Sequence, residues 1–109
     1  MNDIQELTAM VKAFVEERDW DQFHNPKDLA LALSIEASEL NEAFLWKKAE
    51  EAQPEKVSEE LADVFIYALL LARKCGFDVP TIVKDKLASN AAKYPVDKAR
   101  GSAKKYNEL

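Results

Sequence analysis

Apolar residues recur at intervals of three and four positions through most of this chain, a period that predicts amphipathic α-helices. Capping side chains, glycine and proline indicate where each helix begins and ends. These signals together predict four helices: from about Asp3 to Arg18, from Asn25-Pro26 to about Lys48, from Ser58 or the turn before it to Gly76, and from Asp78 to the residue before Tyr94-Pro95. The many Ala, Leu, Glu and Lys residues, with two glycines and four prolines, agree with an all-α fold.

The third helix is apolar on nearly all sides between Val64 and Ala72, which is typical of a helix that is buried all round. Three other helices in a chain of this length can hardly cover it. We therefore expect a dimer or a larger homo-oligomer, with part of this helix at the subunit interface. The alternative is that the C-terminal tail covers the helix.

A chain of 109 residues is long enough for a single hydrophobic core, so we expect one domain over residues 1–109. Residues 95–109 contain Gly101 and several charged side chains, and we expect them to form an extended or loosely held tail. The formal net charge of −5 argues against a nucleic-acid polymer as partner, because a phosphate backbone requires a basic surface.

Three features of the sequence concern the location of the protein. The N-terminus lacks the basic-then-apolar order of a signal peptide. The longest uncharged run, from Val64 to Ala72, is too short to cross a membrane. The single cysteine, Cys75, cannot form an internal disulfide, which agrees with a reducing compartment. We therefore expect a cytoplasmic protein without a membrane partner.

Two acidic pairs, Glu36 with Glu39 and Glu60 with Asp63, have helical spacing and lie inside apolar stripes. The stripes are formed by Leu29, Ala32, Leu33, Leu40 and Ala43 around the first pair, and by Val57, Leu61, Val64, Tyr67, Ala68 and Leu71 around the second. A solvated carboxylate normally lies opposite such a stripe. Clustered carboxylates repel by about 4 kcal/mol per pair at about 4 Å and an effective dielectric constant of about 20. The pattern therefore predicts an all-oxygen site for a hard divalent ion, with Mg²⁺ favoured.

The competing interpretation is that these four acids are ordinary surface carboxylates on charge-rich helices. Several other acids are expected to be just that, namely Glu42, Glu50, Glu51, Glu55 and Glu59. A di-iron carboxylate bundle requires Glu-x-x-His motifs, and the only histidine, His24, precedes both pairs. The sequence also has no EF-hand loop, no phosphate-binding glycine loop and no Cys/His zinc cluster. The placement inside apolar stripes favours the divalent-ion site.

Two further clusters leave alternatives open. Trp20, Phe23, Trp46 and Tyr67, together with His24, either close the ends of the bundle or stack on a flat heterocycle. A basic cluster near the C-terminus is either a solvated tail or a group that neutralises a bound polyphosphate. Its members are Lys93, Lys98, Arg100, Lys104 and Lys105.

The spacing of the four acids resembles the metal motif of the MazG-like, all-α nucleoside triphosphate pyrophosphohydrolases. The flanking sequence looks closest to their dCTP pyrophosphatase subgroup. The matching stretches are Arg18 to His24, the leucine-rich approach to Glu36, Phe44 to Lys47, Glu60 to Tyr67, Asn90, Lys93 to Pro95, and Lys105-Tyr106. Broader relatives often carry a further glutamate just before the first pair, where this chain has Ile35, and this departure favours the smaller subgroup.

The resemblance implies a four-helix MazG-like bundle that forms a symmetric oligomer, a tetramer built from tight dimers. It implies that Glu36, Glu39, Glu60 and Asp63 hold Mg²⁺. The chemistry of a metal-bound water makes Glu36 or Glu39 the candidate general base. The resemblance also implies a nucleotide site that takes in Trp20, Asp21, Gln22, Phe23, His24, Trp46 and Tyr67, closed near the sugar or phosphates by Asn90, Lys93 and Tyr94.

The implied reaction is Mg²⁺-dependent hydrolysis of a nucleoside triphosphate to the monophosphate and pyrophosphate. The expected preference is for deoxynucleotides, dCTP first and dATP next, and the implied role is house-cleaning of the nucleotide pool. Two alternatives stay open. One is a non-catalytic helical module for nucleotide sensing or oligomerisation, and the other is an enzyme that resembles phosphoribosyl-ATP pyrophosphatase.

Overall fold

The computed structural model describes residues 1–109 and contains helices without strands, which confirms the all-α prediction. The α-helices are α1 (Asp3–Glu17), α2 (Pro26–Glu42), α3 (Pro54–Cys75), α4 (Val79–Lys93) and the single turn α5 (Val96–Ala99). Short 3-10 helices lie at Asp21–Phe23, Ala49–Glu51 and Tyr106–Glu108. None of the helices is both long enough and apolar enough to cross a membrane. The chain divides into two compact units, residues 1–77 and residues 78–109.

Helix α1 begins at a reciprocal cap between Asn2 and Gln5. The Asn2 Oδ1 atom accepts a hydrogen bond from the Gln5 amide at 2.8 Å, and the Asn2 amide donates to Gln5 Oε1 at 3.1 Å. The helix ends at Glu17 and Arg18 is its C-cap, so the predicted boundaries are confirmed. Its inner face contributes Val15 to the core of the first unit.

Helix α2 begins as predicted and ends earlier than predicted. Asn25 Oδ1 accepts from the Asp28 amide at 2.9 Å, and Pro26 takes the first helical position. The helix was expected to reach about Lys48, but it ends at Glu42. The next three amides donate to carbonyls three residues back instead of four, which tightens the chain into turns. Trp46 then leaves the helical region altogether, with a φ of +61°.

Helix α3 begins at Pro54, in the turn before Ser58 that the sequence offered as a start, and the Gln53 carbonyl accepts a hydrogen bond from the Val57 amide at 3.1 Å. It ends at Cys75, where Gly76 adopts a left-handed φ of +72°, so the predicted stop is confirmed. Leu61, a member of the apolar stripe around the second acidic pair, is 42% exposed.

Helix α3 is the central element of the first unit, and it packs mainly against α2 and secondarily against α1. Val15, Leu29 and Leu70 form the buried cluster where these three helices meet. Val11, Tyr67 and Leu71 pack against this cluster from its edges. The contact between α2 and α3 is the one that positions the acidic residues of both helices.

An apolar surface of α1 and α3 remains exposed. A cleft of about 340 Å³ is lined by Leu7, Met10, Val11, Phe14 and Ile66. On α3, Phe65 is 60% exposed, so the chain by itself leaves this helix only partly covered. The subunit interface expected on this helix stays a prediction.

The second unit, residues 78–109, is built on α4. Asp78 Oδ2 caps this helix by accepting hydrogen bonds from the amide and the hydroxyl of Thr81, at 3.2 and 2.6 Å. The helix ends at Lys93, ahead of Tyr94-Pro95, as the sequence predicts. Residues 95–109 hold α5 and a 3-10 turn, and the ring of Tyr106 lies edge-to-face on Tyr94 at 6.2 Å between centroids.

Candidate functional site

Carboxylates from α2 and α3 come together between the two helices. Glu36 of α2 and Glu60 and Asp63 of α3 each offer one oxygen, and these oxygens lie within 4.8 Å of one another. Glu39, one turn after Glu36, is close enough to raise the pKa of Glu36. The extensive packing of α2 on α3 thus brings the two predicted acidic pairs into one cluster.

Two atoms of the cluster are buried without a hydrogen-bonding partner. Glu60 is 7% exposed, the one charged residue of the chain that is buried, and its Oε2 atom has no partner. Glu36 Oε2 is likewise buried and unpartnered. A buried carboxylate oxygen without a donor is costly, because the desolvated charge is not compensated. The cluster therefore presents lone pairs that a cation can satisfy.

The electrostatics of the cluster are clearest at Glu36. Burial is the main cause that raises the pKa of Glu36 to about 6, followed by the neighbouring Glu39 and the charges of Asp63 and Glu60. Like charges disfavour ionisation of one another, so the cluster retains a proton at a pH where an isolated glutamate has lost it. A bound cation would replace this proton.

The raised pKa of Glu36 predicts that the free energy of unfolding falls as pH increases from 4.5 through about 6. The folded protein, kept metal-free by a chelator, holds the proton more tightly than the unfolded chain. The stabilisation is fully present below the ordinary glutamate value of 4.5 and is lost as pH rises through about 6. The measurement is the melting temperature of the wild type and of Glu36→Gln between these limits. The wild type should lose stability relative to the variant, and parallel curves would contradict the assignment.

Lys56, in the first turn of α3, lies at the edge of the cluster. Its Nζ atom is 2.7 Å from Glu60 Oε1. This contact lowers the pKa of Glu60 and raises the pKa of Lys56. The charge of Glu39, on the neighbouring helix, also contributes to the raised pKa of Lys56. Lys56 thus interacts with acids of both pairs.

The donor set fits a hard divalent cation. All the available ligand atoms are carboxylate oxygens, which suit Mg²⁺, Ca²⁺ or Mn²⁺ better than softer metals. Oxygens on opposite sides of a Mg²⁺ ion lie about 4.2 Å apart, and the observed limit of 4.8 Å is within a small side-chain adjustment of that value. The unpartnered Oε2 atoms of Glu36 and Glu60 support the same conclusion.

Two predicted nucleotide-site residues lie on the same helices or just beyond them. Tyr67 is half-buried, and its pKa is raised by burial and then by the charges of Glu36, Asp63 and Glu39, so it borders the cluster. Trp46 follows α2 and is 99% exposed, with a left-handed backbone. The indole of Trp46 therefore does not close the end of the bundle within this chain, and its binding role stays a prediction.

The segment from Trp20 to His24 is tied to the ends of α1 and α3. Arg73 Nη1 donates to Asp21 Oδ1 at 2.9 Å, and Lys74 Nζ lies 3.1 Å from the same oxygen. These contacts, the hydrogen bond to Arg73 first, lower the pKa of Asp21. The second guanidinium nitrogen of Arg73 is 3.5 Å from Glu16 Oε1 at the end of α1. Asp21 therefore has structural partners within the chain.

The other members of this segment differ in their surroundings. Gln22 Nε2 donates to the carboxylate and the carbonyl of Asp19, at 2.8 and 3.0 Å. Trp20 is 46% exposed and packs edge-to-face on Phe14, whereas Phe23 is 67% exposed. His24 has a buried, unpartnered Nδ1 atom. The exposed rings are available to a ligand, and the binding role of this segment stays a prediction.

Asn90, Lys93 and Tyr94 belong to the second unit. Asn90 is half-buried on α4, and its carbonyl accepts a hydrogen bond from the Tyr94 amide at 2.8 Å. The Lys93 ammonium lies 5.0 Å from the ring centroid of Tyr106. The expected role of these three residues at the sugar or phosphates stays a prediction.

Sequence reasoning missed Lys56, Arg73 and Lys74. Lys56 is four residues before Glu60, a helical spacing that could have been recognised. Arg73 and Lys74 pair with Asp21, which for Arg73 lies 52 positions earlier in the chain, and no local pattern indicates such a contact.

Comparison with known proteins gives consistent results. Residues 31–109 match the model of the MazG-like family. The dCTP pyrophosphatase 1 of Bos taurus is 44% identical over 117 aligned positions, which cover 100% of this chain and 68% of that protein. The Homo sapiens protein of the same name is 43% identical, with 100% and 67% covered.

A solved structure shows the same fold. The crystal structure of a pyrophosphatase from Archaeoglobus fulgidus DSM 4304 superposes with a TM-score of 0.80 and 35% sequence identity. The match covers 87% of this chain and 94% of the archaeal one. The family model, the relatives and this structure agree, and the chain belongs to the MazG-like family.

Proposed function

We propose that this protein hydrolyses dCTP, and dATP less readily, to the monophosphate and pyrophosphate with Mg²⁺ as cofactor. At the coarser level the chain is a nucleoside triphosphate pyrophosphatase, the activity that its relatives' names share. The observation that carries the cation part of the proposal is the cluster of Glu36, Glu60 and Asp63 oxygens, with two buried atoms that lack partners. The names of the relatives support dCTP as the substrate. House-cleaning of the nucleotide pool is the role that fits this activity.

The acidic cluster would hold the cation through Glu36, Glu39, Glu60 and Asp63. When bound, the divalent ion supplies charge neutralisation to the triphosphate and activation of the attacking water. Glu36 and Glu39 are the candidates for the general base that removes a proton from that water.

The nucleotide base would bind to the exposed aromatic residues of the first unit. Trp46 and Phe23 expose 99% and 67% of their surface, and flat rings of this kind stack well on heterocycles. We assign His24 to the same pocket, where a side-chain movement would bring its buried, unpartnered Nδ1 atom to a base edge. We assign Asn90, Lys93 and Tyr94 to the sugar or phosphates as part of the same proposal.

We also propose a homo-oligomer, a tetramer formed from two dimers, with the exposed surface of α1 and α3 at the dimer interface. The support is the apolar cleft lined by Leu7, Met10, Phe14 and Ile66, together with the exposed Phe65. Apolar patches of this kind are typical of protein interfaces.

The test is a panel of ribo- and deoxyribonucleoside triphosphates, and phosphoribosyl-ATP, assayed with and without Mg²⁺. Pyrophosphate and orthophosphate are measured separately. We expect pyrophosphate from dCTP first and dATP second, and none after chelation. Orthophosphate alone would contradict attack at the α-phosphorus. Turnover of phosphoribosyl-ATP in place of dCTP would favour the enzyme that resembles phosphoribosyl-ATP pyrophosphatase. Tight nucleotide binding without product would favour the sensing module.

A further inference from the structure

Lys56 occupies a position that does not favour its own helix. It lies in the first turn of α3, where the helix dipole disfavours a positive charge. It also precedes Glu60 by four residues, and this order of a basic and an acidic residue stabilises a helix less than the reverse order. Stabilisation of α3 therefore does not explain why a lysine stands there.

The acidic cluster does explain it. Lys56 Nζ is 2.7 Å from Oε1 of Glu60, the buried carboxylate, and the charges of Glu59 and Glu39 also act on it. The side chain of Lys56 is 53% exposed, so the ammonium can withdraw into water without disturbing the core. Glu60 Oε2, the other oxygen of the same carboxylate, is buried and unpartnered.

We infer that Lys56 is a built-in cation that competes with the divalent ion for Glu60 and thereby weakens metal binding by the acidic cluster. The inference rests on the proposed cation site, and it names a residue that sets the affinity of this site for the divalent ion. A divalent ion ligated by Glu60 lies beside the Lys56 charge, and the two cations repel. Binding then requires that the ammonium be displaced or tolerated.

The measurement is the Kd of Mg²⁺ by titration calorimetry on the chelated and dialysed protein, without nucleotide. The buffer is at pH 7.5, a value above the pKa of Glu36, so that proton release does not dominate the heat. We expect Lys56→Gln to bind Mg²⁺ about two- to fivefold more tightly than the wild type, the range set by a partly exposed ion pair. Lys56→Arg, which keeps the charge, should retain the wild-type Kd.

Lys12→Gln is the matched control. Lys12 pairs with Glu16 at the same i,i+4 spacing, 3.7 Å apart, and its side chain is 51% exposed. The substitution changes the net charge by the same amount, so it should leave the Kd unchanged. An unchanged or weaker Kd in Lys56→Gln would overturn the inference, and a weaker one would make Lys56 a residue that orients Glu60. Absence of Mg²⁺ binding by the wild type would overturn the inference together with the cation site.

The two levels of the proposal fail in different ways. The calorimetric result is independent of turnover, so a protein that binds Mg²⁺ but releases no pyrophosphate would refute the hydrolase proposal and leave the role of Lys56 intact. A protein that is active but has the same Kd in all variants would refute only the role of Lys56.

Discussion

Replacing Asp63 by asparagine is expected to reduce pyrophosphate release from dCTP by at least about 100-fold. Loss of a residue that only hydrogen-bonds to a metal ligand typically lowers metal affinity or activity by about 10- to 100-fold, and loss of a direct ligand should have a larger effect. The amide keeps the volume of the side chain and removes the charge that a divalent cation requires. Asp63 is half-buried, and its oxygen lies within 4.8 Å of those of Glu36 and Glu60. The measurement is the initial rate at saturating Mg²⁺, with helix content checked by circular dichroism.

The control for this substitution is Glu55→Gln on the same helix. Glu55 is exposed and lies outside the acidic cluster, so the loss of its charge should leave the rate within about twofold. Near-wild-type turnover in Asp63→Asn would remove this residue from the proposed cation site. A loss of helix content would instead mean that Asp63→Asn disturbs the packing of α3. The weaker repulsion among the remaining carboxylates would then not compensate for this disturbance.

Replacing Leu29 by alanine is expected to destabilise the protein by about 2 to 5 kcal/mol, the usual range for a buried leucine. Leu29 is 1% exposed and contacts Val15 and Leu70 in the core cluster. A domain of this size has a total stability of about 5 to 15 kcal/mol, so the loss is a large share of it. The measurement is thermal unfolding, where the melting temperature should fall by at least about 8 °C.

Leu31→Ala is the comparison, because Leu31 lies on the same helix and is 60% exposed. The same atoms are deleted from a surface position, and the expected change is within about 0.5 kcal/mol. Equal destabilisation by the two substitutions would show that the buried cluster is not the main source of stability. A larger effect at Leu31 would indicate that this face of α2 is covered by another subunit.

The helices and the acidic cluster could be predicted because both depend on local spacing. Carboxylates three residues apart inside an apolar stripe must face the neighbouring helix, and the structure brings Glu36, Glu60 and Asp63 together as expected. The starts of α2 and α4 were recognisable because Asn25 and Asp78 cap their helices through contacts with residues three positions on.

The features that escaped prediction depend on tertiary contacts or on backbone detail. Phe44, Leu45 and Trp46 continue the apolar character of α2, so nothing local indicates that the helix tightens into turns after Glu42. Arg73 stabilises the segment around Asp21 across 52 positions, and such a pairing becomes visible only when α1 and α3 are packed.

Two selective pressures act in opposite directions at Trp46, because its backbone is left-handed. An L-residue at a φ of +61° carries a penalty of about 1 to 2 kcal/mol, and an indole that is 99% exposed recovers none of it through burial. Glycine adopts this conformation without that penalty. Selection for heat resistance alone would therefore favour glycine at position 46, whereas selection for base recognition under the proposed function retains tryptophan. Position 46 is where thermal adaptation of this chain would trade activity for stability.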